Sequence, residues 1–223
     1  MFKVIMIGST GATGCQLLKK LINDKRCESV TTIGRRPALN GKKNDKLLDI
    51  ILKSLSNLSS TEKYWQGKDV FFNCIGTTRK RAGGAKEFID IEAGISYEAA
   101  KMASKAKIPH ASLISAKGAN HKAWATNWIH PLLYIRTMGE KEETIQSKFY
   151  FEYTSIFKPG MLIRLKKKQS KLDFFFESKG LGLGVDKLAD AMILDAERVK
   201  ARLEKKRNRH FIGNKYILSY LKI

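Results

Sequence analysis

Cysteine is scarce in this chain, with only Cys15, Cys27 and Cys74 among 223 residues. Their unrelated spacings offer neither a disulfide framework nor a zinc site, which excludes the small stapled and zinc-ribbon classes. Unpaired thiols suit a reducing, cytoplasmic compartment. No apolar run approaches the ~20 residues that span a bilayer, so no membrane-crossing segment is expected. The first strand begins at Phe2 or Lys3, which we read as leaving no room for a signal or transit peptide. Repeats, low-complexity tracts and linkers are also missing, so residues 1–223 are expected to form one α/β domain with a full core. Acidic residues are few: 21 against 42 Lys and Arg, a net charge of +21. Such a surplus attracts nucleic acid, acidic lipid or an acidic partner, but it says nothing about fold. No specific nucleic-acid partner is expected from it.

What is present is organised around one stretch, Val4-Ile5-Met6-Ile7-Gly8-Ser9-Thr10-Gly11-Ala12-Thr13-Gly14. The apolar, β-branched run reads as a strand buried on both faces. It ends in glycines at three-residue spacing and leads into Cys15–Ile22, where Leu17, Leu18, Leu21 and Ile22 share a helical face. A strand, a glycine turn and a helix, in that order, form a mononucleotide-binding start. Glycine lets a pyrophosphate approach the backbone, and the free N–H groups of the helix N-terminus attract its charge. The alternative is a ligand-free strand–helix turn.

Ser29–Gly34 reads as the second strand, followed at once by Arg35-Arg36-Pro37. In dinucleotide-binding folds an acid at this point bonds the ribose 2′-hydroxyl of NAD, whereas arginine accommodates the 2′-phosphate of NADP. Two arginines and no acid therefore point to NADP(H). Lys46–Asp49 is expected to be a third strand, with Asp49 near the adenine edge. A helix over Ile51–Ser60 is predicted from Leu52, Leu55 and Leu58. Asp69–Gly76 reads as the fourth strand, with Gly76-Thr77-Thr78 running along the cofactor and Cys74 serving as a small buried hydrophobe. After a basic loop, Arg79–Gly84, a helix carries Phe88, Ile91, Ile95, Ala99, Met102 and Ala106 on its core face, and Pro109 closes it.

His110–Ser115 is the fifth strand, and the alternation predicts a doubly wound parallel sheet. Ligands of such sheets lie beyond the carboxyl ends of the strands. Ser115 stands at one of these ends, either to meet a substrate carbonyl or merely to cap the strand. Lys117–Pro131, with Trp124, Trp128, His121 and His130, reads as a loop over the mouth of the site. A helix containing Tyr134 starts near Leu132, and Tyr153–Phe157 is the sixth strand. Arg164, Lys166–Lys168 and Lys171, followed by Asp173–Phe176, read as a surface loop with a core anchor. The last helix, Asp186–Lys206, is expected to be capped by Asp186, with Leu188, Ala191, Met192, Val199 and Leu203 packed and its charges solvated.

Six segments occur in one order: Gly8–Gly14, Ile33–Arg36, Cys74–Thr78, Ser115–Ala119, Tyr134-x-x-x-Met138-Gly139-Glu140 and Phe157–Gly160. Together they resemble the Tat-interacting-protein oxidoreductases, an atypical branch of the short-chain dehydrogenase/reductases, over residues 2–163. The resemblance implies a Rossmann fold binding NADP(H), with Ile75, Gly76, Thr77, Tyr134 and Leu162 joining the glycine loop around the cofactor. It also implies a Ser–Tyr–Lys set, in which Ser115 orients a carbonyl of an unknown small substrate and Tyr134 donates the proton. The family's lysine belongs at position 138, where this chain has Met138. An unassisted tyrosine, with a pKa of about 10, is ionised in only about one molecule per thousand at pH 7. Lys141, one turn further on, is the nearest substitute. Members of the family are also linked to nuclear-transport receptors, so a catalytically silent adaptor is the alternative function.

Overall fold

The computed structural model describes residues 1–125, 130–164 and 181–222. Trp128, Lys166–Lys168, Lys171 and Asp173–Phe176 lie outside the described residues. Among those described, seven parallel strands form one sheet in the order β3-β2-β1-β4-β5-β6-β9. The strands are β1 (Phe2–Ile7), β2 (Cys27–Gly34), β3 (Leu47–Ile51), β4 (Val70–Asn73), β5 (His110–Ile114), β6 (Tyr153–Lys158) and β9 (Asn208–Ile212). Two short strands, β7 (Met161–Ile163) and β8 (Gly182–Gly184), pair parallel beside it. This is the Rossmann arrangement that the alternating pattern predicts, with strand order reversing between β1 and β4.

From Val4 to Ile7 strand β1 is apolar, because helices cover both faces of the sheet there. Val4 and Met6 pack with Leu17, Leu18 and Leu21 of α1 (Ala12–Asn23) and with Leu188 and Met192 of a long C-terminal helix. Ile5 and Ile7 point the other way, against Ala99, Met102 and Ala103. All of these side chains are buried. Each fully buried aliphatic side chain contributes about 1.5–3 kcal/mol, so this strand anchors both layers.

A helical run in three parts follows β4: α2 (Arg79–Ala82), α3 (Ala85–Ile89) and α4 (Ile95–Lys105), of which α4 packs on the opposite face of the sheet. A π-helical turn, Asp90–Gly94, joins α3 to α4. Next come α5 (His130–Glu143), α6 (Val185–Lys200) and α7 (Asn214–Tyr220).

The chain departs from its sequence reading in four places. Where a basic loop is expected over Arg79–Gly84, helix α2 forms, capped by the Thr78 hydroxyl accepting from the Arg81 N–H and closed by Gly83 in the left-handed region. No α-helix forms over Ile51–Ser60: Ile51 ends β3, and only a 3₁₀ turn starts at Ser59. Ser54 and Asn57 instead accept hydrogen bonds from the nearby backbone N–H groups of Ser56 and Ser59, the local bonding by which such residues compete with a helix. Leu55 and Leu58 are nevertheless buried. Helix α6 stops at Lys200, because Arg202 turns left-handed (φ 57°) and Leu203 swings out, 63% exposed. Its cap is Gly184 and not Asp186, and its charges are not all solvated, since Asp195 is wholly buried. Finally, β9 completes the sheet and α7 follows it, and these elements, like β7 and β8, have no counterpart in the sequence reading.

Candidate active site

The carboxyl ends of β1, β4 and β5 open into a long cleft made of two adjoining chambers of about 260 and 340 Å³. Gly8, Ser9, Thr10, Gly11, Ala12, Arg35, Arg36, Ile75, Gly76 and Thr77 line the first. The second is lined by Thr13, Ser115, Tyr134, Met138, Lys141, Glu92 and Leu162, and it shares Gly11, Ala12, Ile75, Gly76, Thr77, Arg81 and Arg164 with the first. The glycine loop therefore lies between the arginine pair and the Ser115–Tyr134 pair.

Local chemistry explains the loop. Helix α1 starts on Gly11 with no side-chain cap, so the N–H groups of its first turn are available to an anion. Gly14 sits under the loop, and a side chain there would collide with the carbonyl of Gly8. Ser9 lines the chamber, and its hydroxyl is buried with no hydrogen-bond partner among the described residues. An uncapped helix start beside an unpartnered buried hydroxyl fits a phosphate-bearing nucleotide. At the outer end the Arg36 guanidinium reaches the Thr10 hydroxyl at 3.3 Å.

Asp49 lies elsewhere. Its carboxylate accepts from the Thr32 hydroxyl and from the Ala38 N–H (2.8 Å), and it lines neither chamber. It braces the turn that follows Arg35 and Arg36, which corrects its expected place at the adenine edge.

Two buried ion pairs stand at the inner chamber, Glu92 with Lys141 in its wall and Glu142 with Lys158 behind Ser115. Glu92, carried on the π-helical turn, accepts from Lys141 Nζ at 2.7 Å and from the Thr77 N–H at 2.6 Å. Lys141 Nζ also donates to the Ile75 carbonyl at 3.0 Å. Ser115 donates to Glu142 Oε1 at 2.5 Å, and Lys158 Nζ donates to Glu142 Oε2 at 2.9 Å. The single hydrogen of Ser115 is thus spent on Glu142, and its lone pairs are what remain for a ligand hydroxyl. Burial raises the Tyr134 phenol above its ordinary value, and the Glu92 charge adds to this. Tyr134 therefore keeps its proton at neutral pH. Met138 is apolar wall, packed with Phe88, Ala116 and Leu133. Cys74 is pushed up to about 12 by burial, with Lys141 pulling weakly against it, and so is an inert packing group, as expected.

Glu92 and Glu142 escape sequence reading altogether. Tyr134, Met138, Lys141 and Glu142 follow one another at i, i+4, i+7 and i+8, so the helical period alone would have put them on one face. Among the described residues no group of three or more His, Cys, Asp or Glu is gathered as a metal would require.

A family model described as NAD(P)H-binding matches residues 8–192. The chain belongs to the NAD(P)H-binding family. Among its relatives is FMP52 of Meyerozyma guilliermondii, 34% identical over 185 residues, which cover 79% of this chain and 71% of that protein. HTATIP2 of Rattus norvegicus is 29% identical over 72% of this chain and 62% of its own length, in keeping with the resemblance drawn from the six motifs. The fold of this family member is also that of the oxidoreductase ylbE from Lactococcus lactis, with a TM-score of 0.66 and 16% identity over 99% of this chain and 97% of that one. MoeE5, solved with UDP-glucose and NAD, gives the same TM-score at 12% identity over 97% and 80% of the two chains. The expected cytoplasmic placement is overturned by the FMP52 relatives, which are named as mitochondrial proteins. Free cysteines report a reducing environment, not the membrane that encloses it.

Proposed function

We propose that this protein is an NADP(H)-dependent oxidoreductase of the short-chain dehydrogenase/reductase type, acting on a small carbonyl or alcohol and located, like the proteins FMP52 is named among, in mitochondria. One observation carries the reading: a single cleft runs from Arg35 and Arg36, past an uncapped helix start, to Ser115 and Tyr134. That sequence of groups matches a dinucleotide with a 2′-phosphate at one end and a reacting ring at the other. The cofactor supplies hydride exchange. Arg35 and Arg36 hold the phosphate, Ser115 accepts from a substrate hydroxyl, and Tyr134 gives a proton to a carbonyl oxygen.

Calorimetric titration with NADP⁺ and NAD⁺ tests the phosphate assignment. NADP⁺ should bind more tightly, and Arg35→Ala/Arg36→Ala should erase the difference, since charge-assisted hydrogen bonds are worth about 1.5–3 kcal/mol each. Equal affinities in the parent protein would remove the NADP(H) preference. NADPH absorbance followed against a panel of quinones and aldehydes tests turnover, which Tyr134→Phe should abolish.

A second reading is supported by Met138: with no lysine one turn from Tyr134, the protein serves as a silent NADP(H)-bound adaptor for protein partners. Cofactor binding without any turnover across the panel would favour it.

A further inference from the structure

We propose that Glu142 fixes the hydrogen-bond polarity of Ser115, so that the inner chamber selects the alcohol member of the substrate couple over the carbonyl. This inference rests on the oxidoreductase reading and deepens it, by choosing between the two substrate classes that the reading leaves open.

A serine hydroxyl has one hydrogen and two lone pairs, whereas a carboxylate has no hydrogen to give. In the 2.5 Å bond between Ser115 Oγ and Glu142 Oε1, Ser115 is therefore the donor. It has no second hydrogen for a carbonyl oxygen, which is the role the family resemblance gives it. What Ser115 has left for a ligand is acceptor capacity.

Three features hold that polarity. Lys158 donates to the other carboxylate oxygen, Glu142 Oε2, at 2.9 Å, which keeps Oε1 turned to the serine. The Glu142 and Lys158 side chains are each only 10% exposed, so little water competes for either group. The Ser115 N–H donates to the Phe157 carbonyl at 2.8 Å, which ties the end of β5 to the strand that carries Lys158. Tyr134, about two helical turns before Glu142 on α5, lines the same chamber and keeps its proton, so it is the complementary donor. A ligand oxygen held by both groups must accept from Tyr134 and donate to Ser115. An alcohol oxygen does both. A carbonyl oxygen only accepts, and it leaves the buried serine lone pairs without a donor, a loss that a site built around a hydroxyl turns into discrimination.

The experiment measures binding to protein saturated with NADP⁺. Its probes are inert toward that cofactor: 2-phenylpropan-2-ol, whose carbinol carbon carries no hydrogen, and acetophenone, which is already a ketone. Ligand-observed NMR titration at millimolar concentrations gives both affinities. The parent protein should bind the alcohol about tenfold more tightly than the ketone, or more. Ser115→Ala should bring the two affinities together by weakening the alcohol alone. Glu142→Gln should go further. With Lys158 still holding the amide oxygen, the amide nitrogen donates to Ser115, frees its hydrogen and shifts the preference towards the ketone. A merely structural role for Glu142 would weaken both probes equally, which overturns the proposal. Should Glu142→Gln fail to fold, the parent and Ser115→Ala decide the matter. Equal affinities in the parent, a preference for the ketone, no binding of either probe, or an alcohol preference that survives Ser115→Ala overturns it. Each of these results, obtained with NADP⁺ bound, leaves the cofactor reading standing. A parent protein that does not bind NADP⁺ removes that reading, and this inference with it.

Discussion

Ser115 donates its only hydroxyl hydrogen to Glu142 across 2.5 Å, and Lys158 neutralises that carboxylate from the other side at 2.9 Å. Both ends of the ion pair are nine-tenths buried. The strand-end serine is therefore the tip of a three-residue chain, held in one orientation by charges that sequence reading does not connect.

That chain should show itself in stability. Glu142→Gln leaves the Lys158 ammonium buried without its carboxylate, a loss that typically costs about 3–5 kcal/mol. Lys158→Met alone should cost a similar amount. The double variant should cost clearly less than the sum, because the second change removes the orphaned charge. Urea denaturation of the four proteins gives the coupling directly; strictly additive losses would show that the pair is not coupled.

Gly139 offers a contest between helix propensity and packing. Alanine in a helix interior is worth about 1 kcal/mol over glycine. Here, however, an added Cβ would strike the backbone of Asn120 and His121, where the Asn120 N–H bonds the Ile135 carbonyl of α5 at 3.0 Å. Packing should win, because backbone on both sides cannot give way. Gly139→Ala is expected to lower the melting temperature by several degrees, consistent with overpacking costs of about 1–3 kcal/mol.

Met138→Lys restores the family's residue but enters an occupied neighbourhood. The new ammonium would share the inner chamber with Lys141, while Glu92 is already engaged by Lys141 and Thr77. It would also replace an apolar contact with Phe88, Ala116 and Leu133. The single variant should lose stability and gain no NADP⁺ affinity. Met138→Lys/Lys141→Met, which moves the cation and does not duplicate it, should recover both. Thermal denaturation with and without NADP⁺ separates these outcomes.

His110 sets a pH dependence at the other end of the sheet. Burial, with Arg209 adding to it, pushes its pKa down to about 3, while its Nε2 meets the Ser155 hydroxyl at 2.9 Å. A depressed histidine pKa gives stability that is present above the unfolded value near 6.5 and lost as pH falls towards 3. Asp195 works the opposite way. Burial raises it to about 6 against the pull of Arg209, so its contribution grows as pH falls from 6 towards 4. Between pH 6 and 4 the two slopes largely cancel. His110→Gln removes one of them. From pH 6.5 to 5.0 the parent should therefore lose about 2 kcal/mol relative to the variant, at about 1.4 kcal/mol per pH unit. Urea titrations at both pH values measure this, and a constant difference would contradict it.

The sequence by itself determined the parallel sheet, the glycine loop, the arginine pair and the positions of Ser115 and Tyr134. Each is written in a short local pattern: a doubly apolar strand, a three-residue glycine spacing, a strand-end charge, a helical period. Only the tertiary structure decided the rest. Leu52, Leu55 and Leu58 carry a helical spacing, but the hydrogen bonds of Ser54 and Asn57 prevent the helix while burial keeps two of the leucines inside. Strand β9 gains its meaning from pairing with β6, some fifty residues earlier in the chain, a partner that no local pattern reveals. The inner chamber follows the same logic. Glu92 reaches Lys141 across 49 residues and Lys141 reaches Ile75 across 66. Charge pairing in a dry interior is a property of distance in space, and spacing along the chain does not encode it.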